Sequence, residues 1–151
     1  MELIWRYKSF NELSAAELYA ILQLRSEVFV VEQNCVYQDI DGKDQKSFHL
    51  MAWLGDDLVA YCRLVQPGVS FTEASIGRVI TSPRHRAKGF GITLIEKAIQ
   101  QTHETFGMAD IKIGAQLYLK KFYSSFGFVQ TSEMYLEDDI EHIEMLLTVN
   151  R

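Results

Sequence analysis

The sequence predicts a mixed α/β (α+β) sheet with helices for both of its faces. Three observations predict it. Short apolar or alternating runs and helix-period segments succeed one another in the order β-α-β-β-β-α-β-α-β-β. Glycines and two prolines mark the joints, and no repeat, linker or low-complexity stretch interrupts the series. The 151 residues suffice for a single domain, 1–151, that buries roughly two-thirds of its unfolded surface.

Residues 2–8 alternate around Ile4, Trp5 and Tyr7 and read as the first strand. Ser14 and Glu17 have capping-box spacing. Leu18, Ile21, Leu22, Arg25, Val28 and Phe29 then mark one face of a helix over 15–29. Residues 30–47 hold neither period, and a loop that long inside a domain is often functional. F-H-L-M-A-W-L (48–54), the turn G-D-D (55–57) and L-V-A-Y-C-R-L-V (58–65) read as a hairpin. Pro67-Gly68 leads to the strand A-S-I-G-R-V-I-T (74–81). A helix over 92–106 stops at Gly107. I-K-I-G-A (111–115) is a short strand, and 117–126 is a helix with Leu119, Phe122, Tyr123 and Phe126 on one side, ended by Gly127. Two strands, 128–136 and 141–149, flank the acidic corner E-D-D at 137–139.

Composition is that of a soluble globular enzyme, 48% hydrophobic and 23% charged. No apolar run approaches the roughly 20 residues that span a bilayer, and the charged N-terminus shows no signal peptide. Cys35 and Cys62 give no disulfide framework and read as reduced thiols of a cytoplasmic protein. A net charge of −5 argues against nucleic acid or an anionic membrane as partner. Within that background Arg84, His85, Arg86 and Lys88 form a local basic run, which suits a small phosphorylated ligand. The four histidines are scattered, and D-I-D-G-K-D (39–44) lacks the glutamate of a calcium loop, so no metal site is proposed.

The basic run stands between a strand and a helix that opens on G-F-G (89–91). Unpaired N–H groups of a first helical turn and the helix dipole favour a phosphate there. A dinucleotide fingerprint needs a small residue where this chain has Leu94, and a P-loop needs a lysine between Gly91 and Thr93. What remains is R-x-x-G-x-G, here R-A-K-G-F-G (86–91). Glycines at 89 and 91 leave phosphate oxygens room to reach the amides.

On that motif, its strand–turn–helix setting and the order of elements, the chain resembles the GNAT superfamily of N-acetyltransferases. The resemblance implies a mostly antiparallel central sheet of six or seven strands with a splayed pair that binds acetyl-CoA. It implies that Val79, Ile80 and Thr81 meet pantetheine and the thioester, and that Arg86, Ala87, Lys88, Gly89, Phe90, Gly91 and Ile92 wrap the pyrophosphate. Tyr123 then stands where many members have the tyrosine that protonates the departing thiolate, and Gln116 where a cofactor-contacting asparagine is usual. L-R-S-E-V-F-V-V-E-Q (24–33), Y-Q-D-I-D-G (37–42), I-G-R-V-I (76–80) and D-I-E-H-I-E-M (139–145) resemble the ElaA subgroup, with glutamates at 141 and 144 where that subgroup usually has proline and glycine.

Acetyl transfer to an amine by direct attack needs a base, oxyanion donors and an acid. A backbone N–H near Ile80 is the expected oxyanion donor and Tyr123 the acid. Glu32, His142 or a water relay is the expected base, histidine being the residue type that titrates near neutrality. Glu32, Asp39, Asp41, Glu137, Asp138 and Asp139 suggest an acidic rim for a cationic small-molecule or peptide amine. A non-catalytic acyl-CoA-binding module and a transferase of longer acyl groups are the alternatives. Oligomeric state stays open, a homodimer included, because an exposed strand edge and a dimer edge look alike in sequence.

Overall fold

The computed structural model describes residues 2–149 and arranges them as two four-stranded sheets with three α-helices. In the first sheet β1 (Ile4–Ser9), β2 (Ser47–Leu54), β3 (Asp57–Val65) and β4 (Ser75–Thr81) pair in that order, all antiparallel. In the second, β5 (Ile111–Gln116), β6 (Val129–Gln130) and β7 (Tyr135–Glu137) all pair with β8 (Ile140–Leu147).

The eight strands exceed the expected six or seven because the strand expected over 128–136 is broken in two. Thr131 N–H donates to the Glu144 carbonyl at 2.9 Å, and the Ser132 hydroxyl accepts from the Glu144 N–H at 2.8 Å. A side chain thus takes a ladder position, and the backbone leaves the sheet until Tyr135. The acidic corner is a two-residue turn in which Asp138 and Asp139 both have positive φ, the geometry that matches strand twist in a hairpin.

The sheets touch where β4 and β5 begin. Ala74 and Ile111 form a parallel bridge, and Lys112 N–H donates to the Ala74 carbonyl at 3.0 Å. Past that bridge no ladder joins β4 to β5 among the described residues, so the two strands diverge toward Thr81 and Gln116. A bulge sharpens the divergence. Tyr61 opposes Ile80 while Arg63 opposes Gly77, which is one residue too many on β4, and Arg78 takes φ +51° to absorb it.

Helix α1 (Ala15–Arg25) begins at the capping box, with Ser14 and Glu17 satisfying each other's backbone N–H at 2.9 and 3.0 Å. It does not end at 29. The chain widens into a π-helical stretch, Ser26–Glu32, marked by Gln33 N–H bonding to the Val28 carbonyl, and stops at Asn34, where φ is +50°. Ile21, Leu24 and Val28 bury one face of this path against Met51, Trp53, Tyr61 and Ile80. Helix α2 (Phe90–Phe106) covers the opposite face, where Leu94, Ile95 and Ala98 pack on Leu50, Cys62, Ile111 and Ile143. Burying Leu94 and Ile95 contributes about 1.5–3 kcal/mol each. A 3₁₀ turn at Leu117–Leu119 and the short α3 (Lys120–Ser124) set Tyr123 on the same core.

Candidate active site

The turn between β4 and α2 is built from strained backbone. Ser82 caps a 3₁₀ turn, Pro83–His85, and Ala87 and Gly89 both take positive φ before the helix begins at Phe90. That geometry aims the free N–H groups of the first helical turn out of the loop. Arg84 donates to Glu27 at 2.9 Å, and Arg86 grips Glu32 with both terminal nitrogens at 2.7 and 2.6 Å. The basic run therefore ties the turn to the π-helical stretch. That grip holds the Glu32 carboxyl below its ordinary range, chiefly through the Arg86 hydrogen bonds.

A groove of about 440 Å³ runs from this turn along the diverging end of β4. Its wall includes Val79, Ile80, Thr81, Arg86, Ala87, Gly89, Phe90, Gly91, Gln116 and Tyr123. Lys88 and Ile92 are not part of that wall, and Ile92 is 53% exposed. A Cβ on Gly91 would sit 3.8 Å from Phe122 and Thr81, so the helix itself tolerates one and the open side is the groove.

A second cavity, about 590 Å³, lies on the far side of the splay. Phe29, Gln33, Val79, Gln116, Leu119 and Tyr123 border both spaces. Gln33 Nε2 reaches Gln116 Oε1 at 3.4 Å across the boundary. Tyr123 is 6% exposed, its ring is held edge-on by Phe122 and Phe128, and its hydroxyl has no hydrogen bond among the described residues. Burial pushes that hydroxyl's pKa well above the usual tyrosine value, so it keeps its proton.

His142 stands in the second cavity on β8, opposite Gln116 of β5 and Tyr135 of β7. Its Nδ1 lies 2.8 Å from the Ile140 carbonyl, which only an N–H can satisfy, so Nε2 is the nitrogen left for proton traffic. Nε2 lies 3.3 Å from the Glu137 carboxylate, and the ring stacks on Tyr135.

The cavity floor is an ion network absent from the sequence expectations. Arg25, fully buried on α1, donates to Asp39 at 2.8 Å and Asp44 at 2.6 Å. Arg63 binds Asp41 and Asp44, and Arg78 reaches Asp39 and Asp41. Asp39, Asp41 and Glu32 therefore do not form a free acidic rim: arginines neutralise all three, which leaves Glu137, Asp138 and Asp139 of the expected set. Lys43 N–H donates to Asp41 Oδ1, which makes D-I-D-G-K-D an Asx-type turn.

With this geometry stand the relatives. The model described as acetyltransferase (GNAT) domain matches residues 11–149. The chain belongs to the GNAT acetyltransferase family. Protein ElaA of Escherichia coli K12 is 43% identical over 143 residues, covering 93% of this chain and 94% of ElaA. The ElaA crystal structure superposes with a TM-score of 0.90 over 96% of this chain and 99% of that one, at 41% identity. An acyl-CoA N-acyltransferase from Pseudomonas aeruginosa superposes at 0.92, with 44% identity over 96% of this chain and 99% of that one. Within the GNAT family the chain is thus ElaA-like, with the mixed, mostly antiparallel fold of acyl-CoA-binding acyltransferases.

Val28, Phe29, Gln33, Tyr118, Leu119 and Phe122 also line this GNAT groove, and none of them is among the site residues expected from the sequence. Gln33 reaches the groove because the helical path runs on past Phe29, its expected end, through the π-helical stretch Ser26–Glu32. The signal was present, since no glycine or proline stands between Phe29 and Asn34.

Proposed function

We propose that the chain is an acetyl-CoA-dependent N-acetyltransferase that acetylates a small-molecule or peptide amine by direct transfer. The observation that carries the reading is the shared boundary at Tyr123, Val79 and Gln116. There a groove beginning at a helix N-terminus opens into a cavity holding a histidine. In this reading the amides of residues 86–92 take the pyrophosphate, and Val79, Ile80 and Thr81 lie along pantetheine. The amine nitrogen attacks the thioester carbon as the C–S bond breaks. Tyr123 gives its proton to the CoA thiolate.

His142 receives the amine proton at Nε2, with Glu137 3.3 Å away to steady the resulting charge. Glu32 is the weaker candidate for base, because Arg86 already engages both of its oxygens. The acyl-CoA donor and the two free thiols support a cytoplasmic setting.

Calorimetry with CoA and acetyl-CoA tests the reading. The expected result is a dissociation constant below about 1 mM, within the usual range for enzyme substrates. Absence of binding at that level removes the cofactor assignment.

A further inference from the structure

Charge along the cavity wall bears on the acceptor, and the inference rests on the transferase reading above. We infer that the acceptor amine carries an anionic group several bonds from its nitrogen, and that Lys43 receives that group.

The wall formed by residues 37–46 is almost charge-balanced. Arg25, Arg63 and Arg78 face Asp39, Asp41 and Asp44, and every one of those carboxylates has a guanidinium partner. Two lysines of this segment have no carboxylate partner among the described residues, and of these Lys43 lines the cavity while Lys46 does not. Lys43 Nζ has one partner among the described residues, the Ser70 hydroxyl at 3.3 Å, and no carboxylate. An ammonium has three donors, so two remain for a ligand.

The position of Lys43 is fixed by the fold. Its N–H is held by Asp41, its carbonyl accepts from the Ser47 hydroxyl at 2.8 Å, and the side chain lines the acceptor cavity. The opposite wall has the other sign, with Glu137 beside His142 and Asp138 at the turn. Glu144 is already taken by Lys112 at 3.0 Å. A protonated amine is drawn to the Glu137 side and an anion to the Lys43 side.

Val79 borders both spaces, whereas Arg63, which binds the loop of Lys43 through Asp41, pairs with Gly77 on the other side of the Arg78 bulge. Lys43 lines the second cavity and not the groove, so its anion is set apart from the boundary where the nitrogen would react, which suits an ω-amino acid or a comparable amino-phosphate.

The test compares length-matched acceptors with acetyl-CoA: n-alkylamines, diamines, ω-amino carboxylates, and an arm with a phosphate monoester in place of the carboxylate. The expected result is a kcat/KM at least about tenfold higher for an anion-bearing amine, mostly through KM, growing with chain length up to the span of the cavity. The carboxylate and phosphate arms identify which anion is used. Lys43→Gln brings the ratio of anionic to neutral acceptor to about one, and Lys43→Arg retains the preference. Amines acetylated without preference for the anion, a preference for diamines, or a preference surviving in Lys43→Gln each overturn this inference while leaving the transferase reading standing. No acetylation of any amine overturns both.

Discussion

Gln116 and His142 are Cα partners on the β5–β8 ladder, so the last residue of β5, which lines the groove, is the neighbour of the histidine in the second cavity. In the proposed reaction the donor and acceptor sides are therefore one residue pair apart. His142→Asn is expected to lower kcat by about 10²-fold, the usual contribution of a positioned base. The dissociation constant for CoA should move by less than about twofold, because the histidine lies outside the cofactor groove. Steady-state kinetics beside calorimetry separates the two quantities.

Gly91 isolates cofactor binding from stability. An added methyl meets only Phe122 and Thr81 at 3.8 Å, an ordinary contact. Alanine is also the better helix former, by up to about 1 kcal/mol. Gly91→Ala is expected to keep or raise the melting temperature, and to weaken CoA affinity at least about tenfold if the proposed pyrophosphate contacts run over its amide. Thermal unfolding with and without CoA measures both effects on one sample.

The acid stability of the protein follows from its buried charges. Burial pushes the His49 imidazole down, and the Asp44 carbonyl and Tyr61 hydroxyl bonded to its ring hold it in place. Its folded pKa lies below the unfolded value of about 6.5, so its contribution is complete above that value and is lost as pH falls. Burial alone would raise Asp41 and Asp44, but hydrogen bonds and charge from Arg63 and Arg25 outweigh it and hold both below the carboxylate range. Their contribution is present above about pH 3.9 and disappears as pH drops through the folded values. Chemical denaturation against pH should show a first decline below about 6.5 and a second below about 3.9. His49→Gln removes the first decline alone.

The Tyr123 hydroxyl makes no hydrogen bond among the described residues, so it is dispensable for folding. Tyr123→Phe should shift unfolding free energy by less than about 0.5 kcal/mol. The same substitution should lower kcat by about 10²-fold if the hydroxyl supplies the thiolate's proton. An unchanged kcat removes the acid role.

Features written in a few adjacent residues were legible in the sequence. The Ser14–Glu17 box, the Gly107 and Gly127 stops and the glycines of the turn after β4 all depend on local backbone chemistry. What the sequence hid was contact at a distance. Arg25 reaches Asp39 and Asp44, and Arg86 reaches Glu32 across 54 positions. One clue was present: a lone arginine on the apolar face of α1 had to find buried carboxylates, and three aspartates at 39, 41 and 44 were at hand. The break in the strand over 128–136 was illegible for a related reason, because it depends on a Ser132–Glu144 hydrogen bond between strands.

The central claim is amide formation from acetyl-CoA. Incubating the enzyme with acetyl-CoA and an amine panel, and following products by mass spectrometry, tests it most directly. The expected products are N-acetylated amine and free CoA in equal amounts, formed only when enzyme and acceptor are both present. Intact acetyl-CoA across the whole panel, or its loss to acetate without any amide, would contradict that claim.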